Sequence, residues 1–107
     1  MIKINVAKEF TRYPSGRFMK NGKTSGEEFR EKYLIPALES GENINVELDG
    51  TIGYGSSFLE EAFGGLVRRL NLSSAQIKNQ ITLSSEDNTL IQEINEYLDE
   101  ASKKLEK

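Results

Sequence analysis

The sequence predicts a single α/β domain over residues 1–107, with a mixed sheet of about four strands and about three helices packed against it. Three short segments alternate apolar and polar residues, as half-buried strands do. Three longer segments carry apolar residues at the i, i+3, i+4 and i+7 spacing of amphipathic helices. Because the two kinds of segment alternate along the chain, we expect a mostly parallel or mixed sheet joined by right-handed crossovers.

The first half of the chain supplies two predicted strands and one helix. Residues 2–6 alternate apolar and polar side chains, and the short apolar segment 17–19 is predicted to pair back on them after a turn rich in Pro and Gly. Ser25 and Glu28 have capping-box spacing, so the first helix is expected to begin there. Pro36 has no N–H to donate inside a helix, and we expect this helix to kink or restart at that residue.

The second half of the chain supplies two further strands, two helices and a short helical turn. Residues 44–48 and 81–83 alternate as strands do, and residues 73–78 are predicted to form the short helical turn. Apolar stripes predict helices over residues 58–70 and 87–105. We expect the few residues that follow the last helix to fray.

Composition excludes several kinds of site. The chain has no cysteine and no histidine, so it lacks the ligands of common zinc sites and the base of Ser-His triads. A net charge of -3 argues against binding to nucleic acid, which requires a basic face. No apolar run is long enough for a signal peptide or a membrane span. We therefore expect a non-enzymatic, cytoplasmic protein without a cofactor, a metal ion or membrane contact.

A turn rich in glycine and serine follows the strand at residues 44–48 and is the most informative segment. Gly53 and Gly55 are expected to form a tight turn with positive φ. The turn delivers two serines to a helix N-terminus, where free N–H groups and the helix dipole favour anions. Ser57 and Glu60 have capping-box spacing, so we expect capping to be the main role of Ser57. Phosphorylation of the same serine is compatible with that role.

Three motifs in this order resemble a known family. They are SGEEF at residues 25–29, VELDG at 46–50 and SSFLEEAFGGL at 56–66. The chain resembles the STAS-like domains of the group DUF4325, which are related to the STAS domains of anti-sigma-factor antagonists. The resemblance covers roughly residues 2–98 and is densest over 45–70. It implies the STAS-like fold and a regulatory module of bacterial or mobile-element origin.

The resemblance also implies a kind of partner. In anti-sigma-factor antagonists, a serine at the start of a helix is phosphorylated by a protein with a GHKL-type ATPase fold, and the phosphate weakens their complex. The resemblance places that serine at Ser57, with Ser56 before it. Gly55 and Phe58 stand where that motif has Asp and Gly, so the shared feature is the serine at the helix start. The implied partner is therefore a GHKL-type ATPase or serine kinase.

The turn and the outer face of the next helix form the predicted contact surface. The glycines Gly64 and Gly65 inside this helix have two explanations: a neighbouring element lies too close for a Cβ, which we favour, or the flank is a docking surface. The alternative function is a small-ligand or nucleotide-binding domain that uses the same helix N-terminus. The candidate partner- or ligand-binding residues are Gly53, Tyr54, Gly55, Ser56, Ser57, Glu61, Gly65 and Arg68.

The remaining charged residues are predicted to lie on the surface. Arg17 is expected to be either a solvated side chain or part of a structural ion pair. The carboxylates expected at helix starts and on solvent faces are Glu27, Glu28, Glu31, Glu60 and Glu61. The oligomeric state is left open, because no pattern in the sequence predicts one.

Overall fold

Three parallel strands form the sheet in a computed structural model that describes residues 1–105. The strands are β1 (Ile2–Asn5), β2 (Ile44–Glu47) and β3 (Ile81–Ser84), in the spatial order β1-β2-β3. Both neighbouring pairs run parallel. The predicted α/β class is confirmed. The predicted mixed sheet of about four strands is wrong, because the described part of the chain has three strands and no antiparallel pair.

The predicted strand at residues 17–19 is a turn instead. Met19–Asn21 forms one turn of 3-10 helix, and the Asn21 side chain accepts a hydrogen bond from the Phe18 N–H at 3.0 Å. The Gly22 N–H donates to the Met19 carbonyl at 3.1 Å. These local hydrogen bonds occupy backbone groups that a strand would offer to its neighbour.

Two long helices connect the strands, and both contain a π-helical turn. α1 covers residues 26–39 with the π turn at Arg30–Leu34, and α2 covers residues 56–70 with the π turn at Glu60–Gly64. Such π turns interrupt α-helices and are frequent at functional sites. The other helical segments are the π turn Val6–Phe10, α3 (Ser74–Gln80) and α4 (Asn88–Leu105).

The first helix changes its hydrogen-bonding pattern next to Pro36, where the sequence predicted that it would kink or restart. α1 returns from π to α hydrogen bonding at Ile35, next to Pro36. Proline has no N–H, so a change of hydrogen-bond register beside it leaves fewer backbone groups unpaired. The predicted fraying after residue 105 lies outside the described residues.

The helices cover only one face of the sheet. Ile4, Ile44 and Val46 are buried on that face. Right-handed crossovers in the order β1-β2-β3 place each connecting helix on the same side, so the other face stays open. The open face is polar, and its residues are Lys3, Asn5, Asn45, Glu47, Thr82 and Ser84.

The core lies between the sheet and the helices, and α4 packs against α2. Phe58, Phe63 and Leu66 of α2 are fully buried, as is Ile94 of α4. None of the helices within residues 1–105 has the length and apolarity that a membrane span requires.

The start of α1 lies directly against α2. Ser25 is buried and caps α1, because its hydroxyl accepts a hydrogen bond from the Glu28 N–H at 3.1 Å. This confirms the capping role predicted for Ser25. A Cβ on Gly26 would lie 2.4 Å from the Phe58 carbonyl oxygen and 2.9 Å from the Ala62 nitrogen. Only glycine permits this approach, which fixes α1 against the first turns of α2.

Candidate functional site

The candidate site is built from the loops that follow the three strands. Because the strands are parallel, their carboxyl ends meet at one edge of the sheet, where ligands of open α/β sheets commonly bind. The loop after β1 is joined to the loop after β2: the Ile52 N–H donates to the Arg12 carbonyl at 3.0 Å, and the Gly55 N–H donates to the Pro14 carbonyl at 3.2 Å. These bonds hold the two loops as one surface.

The loop after β3 is tied to the same surface through Asp49. The Asp49 carboxylate accepts hydrogen bonds from the Ser85 hydroxyl at 2.8 Å and from the Glu86 N–H at 3.0 Å. In turn, the Ser85 hydroxyl accepts from the Asp87 N–H at 3.0 Å, just before α4 begins. All three loops at this edge are therefore held by specific hydrogen bonds.

Tyr54 anchors the turn to the core. Its hydroxyl donates to the Leu48 carbonyl at 2.7 Å, and its ring packs on Phe58 with 5.9 Å between centroids. Burial raises the pKa of the Tyr54 hydroxyl well above its usual value. Gly53 has a φ of 143°, which a side chain would strain, whereas Gly55 has an ordinary φ of -70°. The prediction of positive φ is thus confirmed for Gly53 and wrong for Gly55.

The predicted capping role of Ser57 is wrong. Gly55 is the N-cap of α2, which begins at Ser56, and no side chain bonds to the free N–H groups of its first turn. Glu60 does not reach back to Ser57, because its carboxylate binds Arg17 and Arg68. Both serines are exposed, and within residues 1–105 neither hydroxyl makes a protein hydrogen bond. The structure therefore leaves two free hydroxyls at the start of a helix.

A buried ion pair joins α1 to α2. Arg30 is 7% exposed and Glu61 is 8% exposed. Arg30 Nη1 lies 2.5 Å from Glu61 Oε2, and the same nitrogen donates to the Glu61 carbonyl at 2.9 Å. Arg30 also donates through Nε to the Glu31 carboxylate at 2.8 Å. The prediction that Glu61 lies on the solvent face is wrong, and its burial removes it from the predicted contact surface.

An outer ring of charges surrounds this pair. Arg17 binds both Glu60 and Glu61, so of the two expectations for Arg17 the structural ion pair holds and the solvated side chain does not. Arg68 binds Glu60 with Nη1–Oε2 at 2.7 Å and Nη2–Oε1 at 3.2 Å. Arg68 stays exposed, but its guanidinium is committed to these contacts.

The two glycines of α2 make room for these charges. A Cβ on Gly65 would lie 2.3 Å from Arg30 Nη1 and 3.2 Å from Arg30 Cδ. A Cβ on Gly64 would lie 2.6 Å from Glu60 Oε2. Both glycines are buried. The interior explanation holds for Gly65, because Arg30 belongs to the neighbouring α1, and Gly65 therefore does not belong to the predicted contact surface. The close atoms at Gly64 belong instead to Glu60 and Arg68 of α2 itself.

The charge on Glu60 predicts a pH-dependent stability. Burial acts to raise the pKa of the Glu60 carboxyl, but hydrogen bonds from Arg68 and Arg17 outweigh it and hold the pKa below the ordinary value of 4.5. A carboxyl whose pKa is lower in the folded state than in the unfolded state stabilises the fold at pH values above its unfolded-state pKa. This stabilisation is lost as pH falls through the folded-state pKa. We expect Glu60→Gln to cost about 1 kcal/mol at neutral pH and to approach the stability of the wild type as pH falls below 4.5.

Urea denaturation at several pH values measures this difference. Glu39→Gln is the matched control, because Glu39 is exposed and makes no ion pair within residues 1–105. Its difference from the wild type should stay small and constant. A gap between wild type and Glu60→Gln that does not narrow as pH falls would contradict the prediction.

A cleft of about 520 Å³ opens beside the turn, between the loop after β2 and the first turns of α4. We call it the carboxyl-edge cleft. Four carboxylates line it and no lysine or arginine does; they belong to Asp49, Asp87, Glu93 and Glu96. Across residues 1–105, no group of three or more acidic side chains is arranged to hold a metal ion.

Sequence reasoning missed Arg30 and this cleft. A sequence signal for Arg30 was present. Glu61 and Gly65 lie four residues apart and therefore on the same face of one helix. A carboxylate next to a glycine on that face leaves room for a long basic side chain from another element of the fold. The cleft had no local signal, because its carboxylates come from segments that are about 40 residues apart in sequence.

Comparison with known proteins identifies the family of the chain. A family model described as a STAS-like domain of unknown function (DUF4325) matches residues 25–91, which is more than half of the chain. The matched segment contains α1, β2, the turn, α2, α3 and β3, and therefore both partners of the buried ion pair. No curated protein and no solved structure matches the chain.

Proposed function

The chain belongs to the STAS-like domain family (DUF4325), and on that premise we propose that it is a regulatory module that binds a protein partner. The proposed contact surface is the turn at residues 53–57 with the loops hydrogen-bonded to it. The proposed switch is phosphorylation of Ser57, with Ser56 as the second candidate. The proposed partner class, a GHKL-type ATPase or serine kinase, is supported by the resemblance to anti-sigma-factor antagonists.

One observation carries the proposal: the hydroxyls of Ser56 and Ser57 are exposed on a turn that is otherwise fixed. Tyr54 and Phe58 on either side are held by the Leu48 carbonyl and by the core. A helix cap would have used the Ser57 hydroxyl, and Gly55 takes that position instead. The serines are therefore free to meet a partner or a kinase without loss of a structural hydrogen bond.

A phosphate on Ser57 would change this surface strongly. It adds a charge of roughly -1.5 to -2, which the positive end of α2 tolerates in the free protein. A partner packed closely on the turn would have to desolvate that charge and accommodate its bulk. Phosphorylation is therefore expected to weaken the complex while leaving the fold intact.

The test uses the product of the neighbouring gene as the candidate partner. Ser57→Asp is expected to raise the dissociation constant at least tenfold, as measured by calorimetry, whereas Ser57→Ala is expected to bind as the wild type does. Asn79→Asp adds the same charge on the exposed side of α3 and serves as the matched control. An unchanged dissociation constant for Ser57→Asp rejects the switch.

Intact mass measured after incubation with that partner and ATP tests the modification itself. One phosphate adduct is expected on the wild type and none on Ser57→Ala. An adduct of equal size on Ser57→Ala but none on Ser56→Ala would move the switch to Ser56. Absence of an adduct on the wild type would reject phosphorylation by this partner.

The alternative, a nucleotide or small-ligand binder at the start of α2, has less support. The adjoining cleft is lined by carboxylates, which repel phosphate groups. A rise in melting temperature with millimolar ATP would favour this alternative, since a ligand that binds only the folded state stabilises it by mass action.

A further inference from the structure

The carboxyl-edge cleft is an organised cavity beside the turn. Its floor is the end of β2 at Leu48, and its walls are the loop that follows β2 and the first turns of α4. Ser56 and Ser57 do not line it. Asp49 and Tyr54, which do, are fixed by hydrogen bonds to Ser85 and to the Leu48 carbonyl. The cavity is therefore held open by the fold.

The cleft gathers carboxylates that are not neutralised by a basic side chain. Glu60 and Glu61, in contrast, are bound by arginines. The four carboxylates of the cleft form no ion pair within residues 1–105. Arg12, a cation on the adjoining loop, lies outside the lining. An incoming positive group would meet this field without competing against an internal cation.

Two large apolar side chains are exposed on the joined loops beside the cleft. Ile52 lines the cleft and is 71% exposed, and Tyr13 on the neighbouring loop is 59% exposed. The hydrogen bond from the Ile52 N–H to the Arg12 carbonyl holds the two loops together. Exposed apolar side chains that cluster on fixed loops commonly mark a protein-binding surface.

We propose that the carboxyl-edge cleft receives a segment of the protein partner in which basic and apolar side chains alternate. The basic side chains enter the cleft beside Asp87, Glu93 and Glu96, and the apolar ones pack on Ile52 and Tyr13. This inference rests on the proposed function, because it names the chemistry of the partner that the domain binds. It also gives two parts of the surface different roles: the cleft selects the partner, and the serines, which do not line the cleft, regulate the complex.

A synthetic peptide tests the cleft without any partner protein. An acetylated, amidated heptapeptide of alternating leucine and arginine is titrated into the ¹⁵N-labelled domain. Amide shifts are expected at Gly50, Ile52, Gly53 and Glu93, and they should weaken as salt is added. Heptapeptides of leucine with glutamate, or of serine with arginine, should bind at least fivefold more weakly, because each lacks one of the two features.

The matched variants change charge inside and outside the cleft. Gln92→Lys/Glu96→Lys replaces one of the four lining carboxylates and adds two lysines on exposed positions of α4. It therefore removes most of the negative charge of the cleft and is expected to weaken binding of the leucine–arginine peptide at least fivefold. Glu39→Lys/Asn79→Lys makes the same change of three charge units on exposed positions elsewhere and should leave binding nearly unchanged.

Several results would overturn the inference. They are no shifts at about 1 mM peptide, shifts that map away from the cleft, and equal binding by both double variants. The peptide does not involve Ser57 or phosphorylation. A negative result would therefore reject only the proposed role of the cleft, whereas the Ser57→Asp experiment tests the proposed function.

Discussion

Replacement of Glu61 by alanine is expected to lower the free energy of unfolding by about 3 kcal/mol, because it leaves the Arg30 guanidinium buried beside an apolar methyl. Arg30 keeps its contacts with the Glu31 carboxylate and the Glu61 carbonyl, which places the loss at the low end for a broken buried ion pair. A domain of this size has about 5–15 kcal/mol of stability, so the loss is a large fraction. Urea denaturation at neutral pH measures it.

Two further variants show whether an unpaired charge is the cause. Arg30→Met/Glu61→Leu removes both charges and keeps similar volume, so it should lose less than half as much stability as Glu61→Ala alone. Glu39→Ala, on the exposed last residue of α1, should change stability by less than about 0.5 kcal/mol. If Glu61→Ala loses no more than Glu39→Ala does, the ion pair contributes nothing and the account of α1–α2 packing is wrong.

The elements with strong local patterns could be predicted from the sequence. Alternation placed β1 to β3, apolar stripes placed α2 and α4, and the capping box at Ser25 placed the start of α1. Each of these depends on side chains close in sequence, so a single chain is sufficient. The same local reasoning failed at Ser57, because Glu60, the second member of that capping box, is bound by Arg68 of the same helix and by Arg17, which is distant in sequence.

The parts that could not be predicted depend on how elements meet. The sheet was expected to include residues 17–19, but a hydrogen bond from the Phe18 N–H to the Asn21 side chain closes that segment into a turn. Glu61 looked like a surface carboxylate because its helix neighbours are charged, and only the approach of α1 buries it. Gly65 is explained by the same approach. The glycines inside α2 were the sequence feature that indicated a close contact with another element, but they did not identify Arg30 as the contacting residue.

The contact between α1 and α2 also predicts the effect of Gly26→Ala, a loss of about 2–3 kcal/mol. The new Cβ would lie 2.4 Å from the Phe58 carbonyl oxygen and 2.9 Å from the Ala62 nitrogen. Both are backbone atoms of α2, so no side-chain rotation relieves the overlap and the helices must move apart. Gly55→Ala is the matched control, because its Cβ would come no closer than 3.8 Å to Ser15 and its φ is ordinary. It should cost less than about 1 kcal/mol.

The separation of α1 from α2 connects the predictions for Gly26→Ala and Glu61→Ala. Gly26 and Arg30 lie one turn apart on the face of α1 that meets α2, so separation of the helices lengthens the contact from Arg30 to Glu61. Once Gly26→Ala has weakened that contact, removal of Glu61 should cost less. We therefore expect Gly26→Ala/Glu61→Ala to lose at least about 0.5 kcal/mol less than the sum of the single losses. Additive losses would show that the glycine contact and the ion pair stabilise α1 independently.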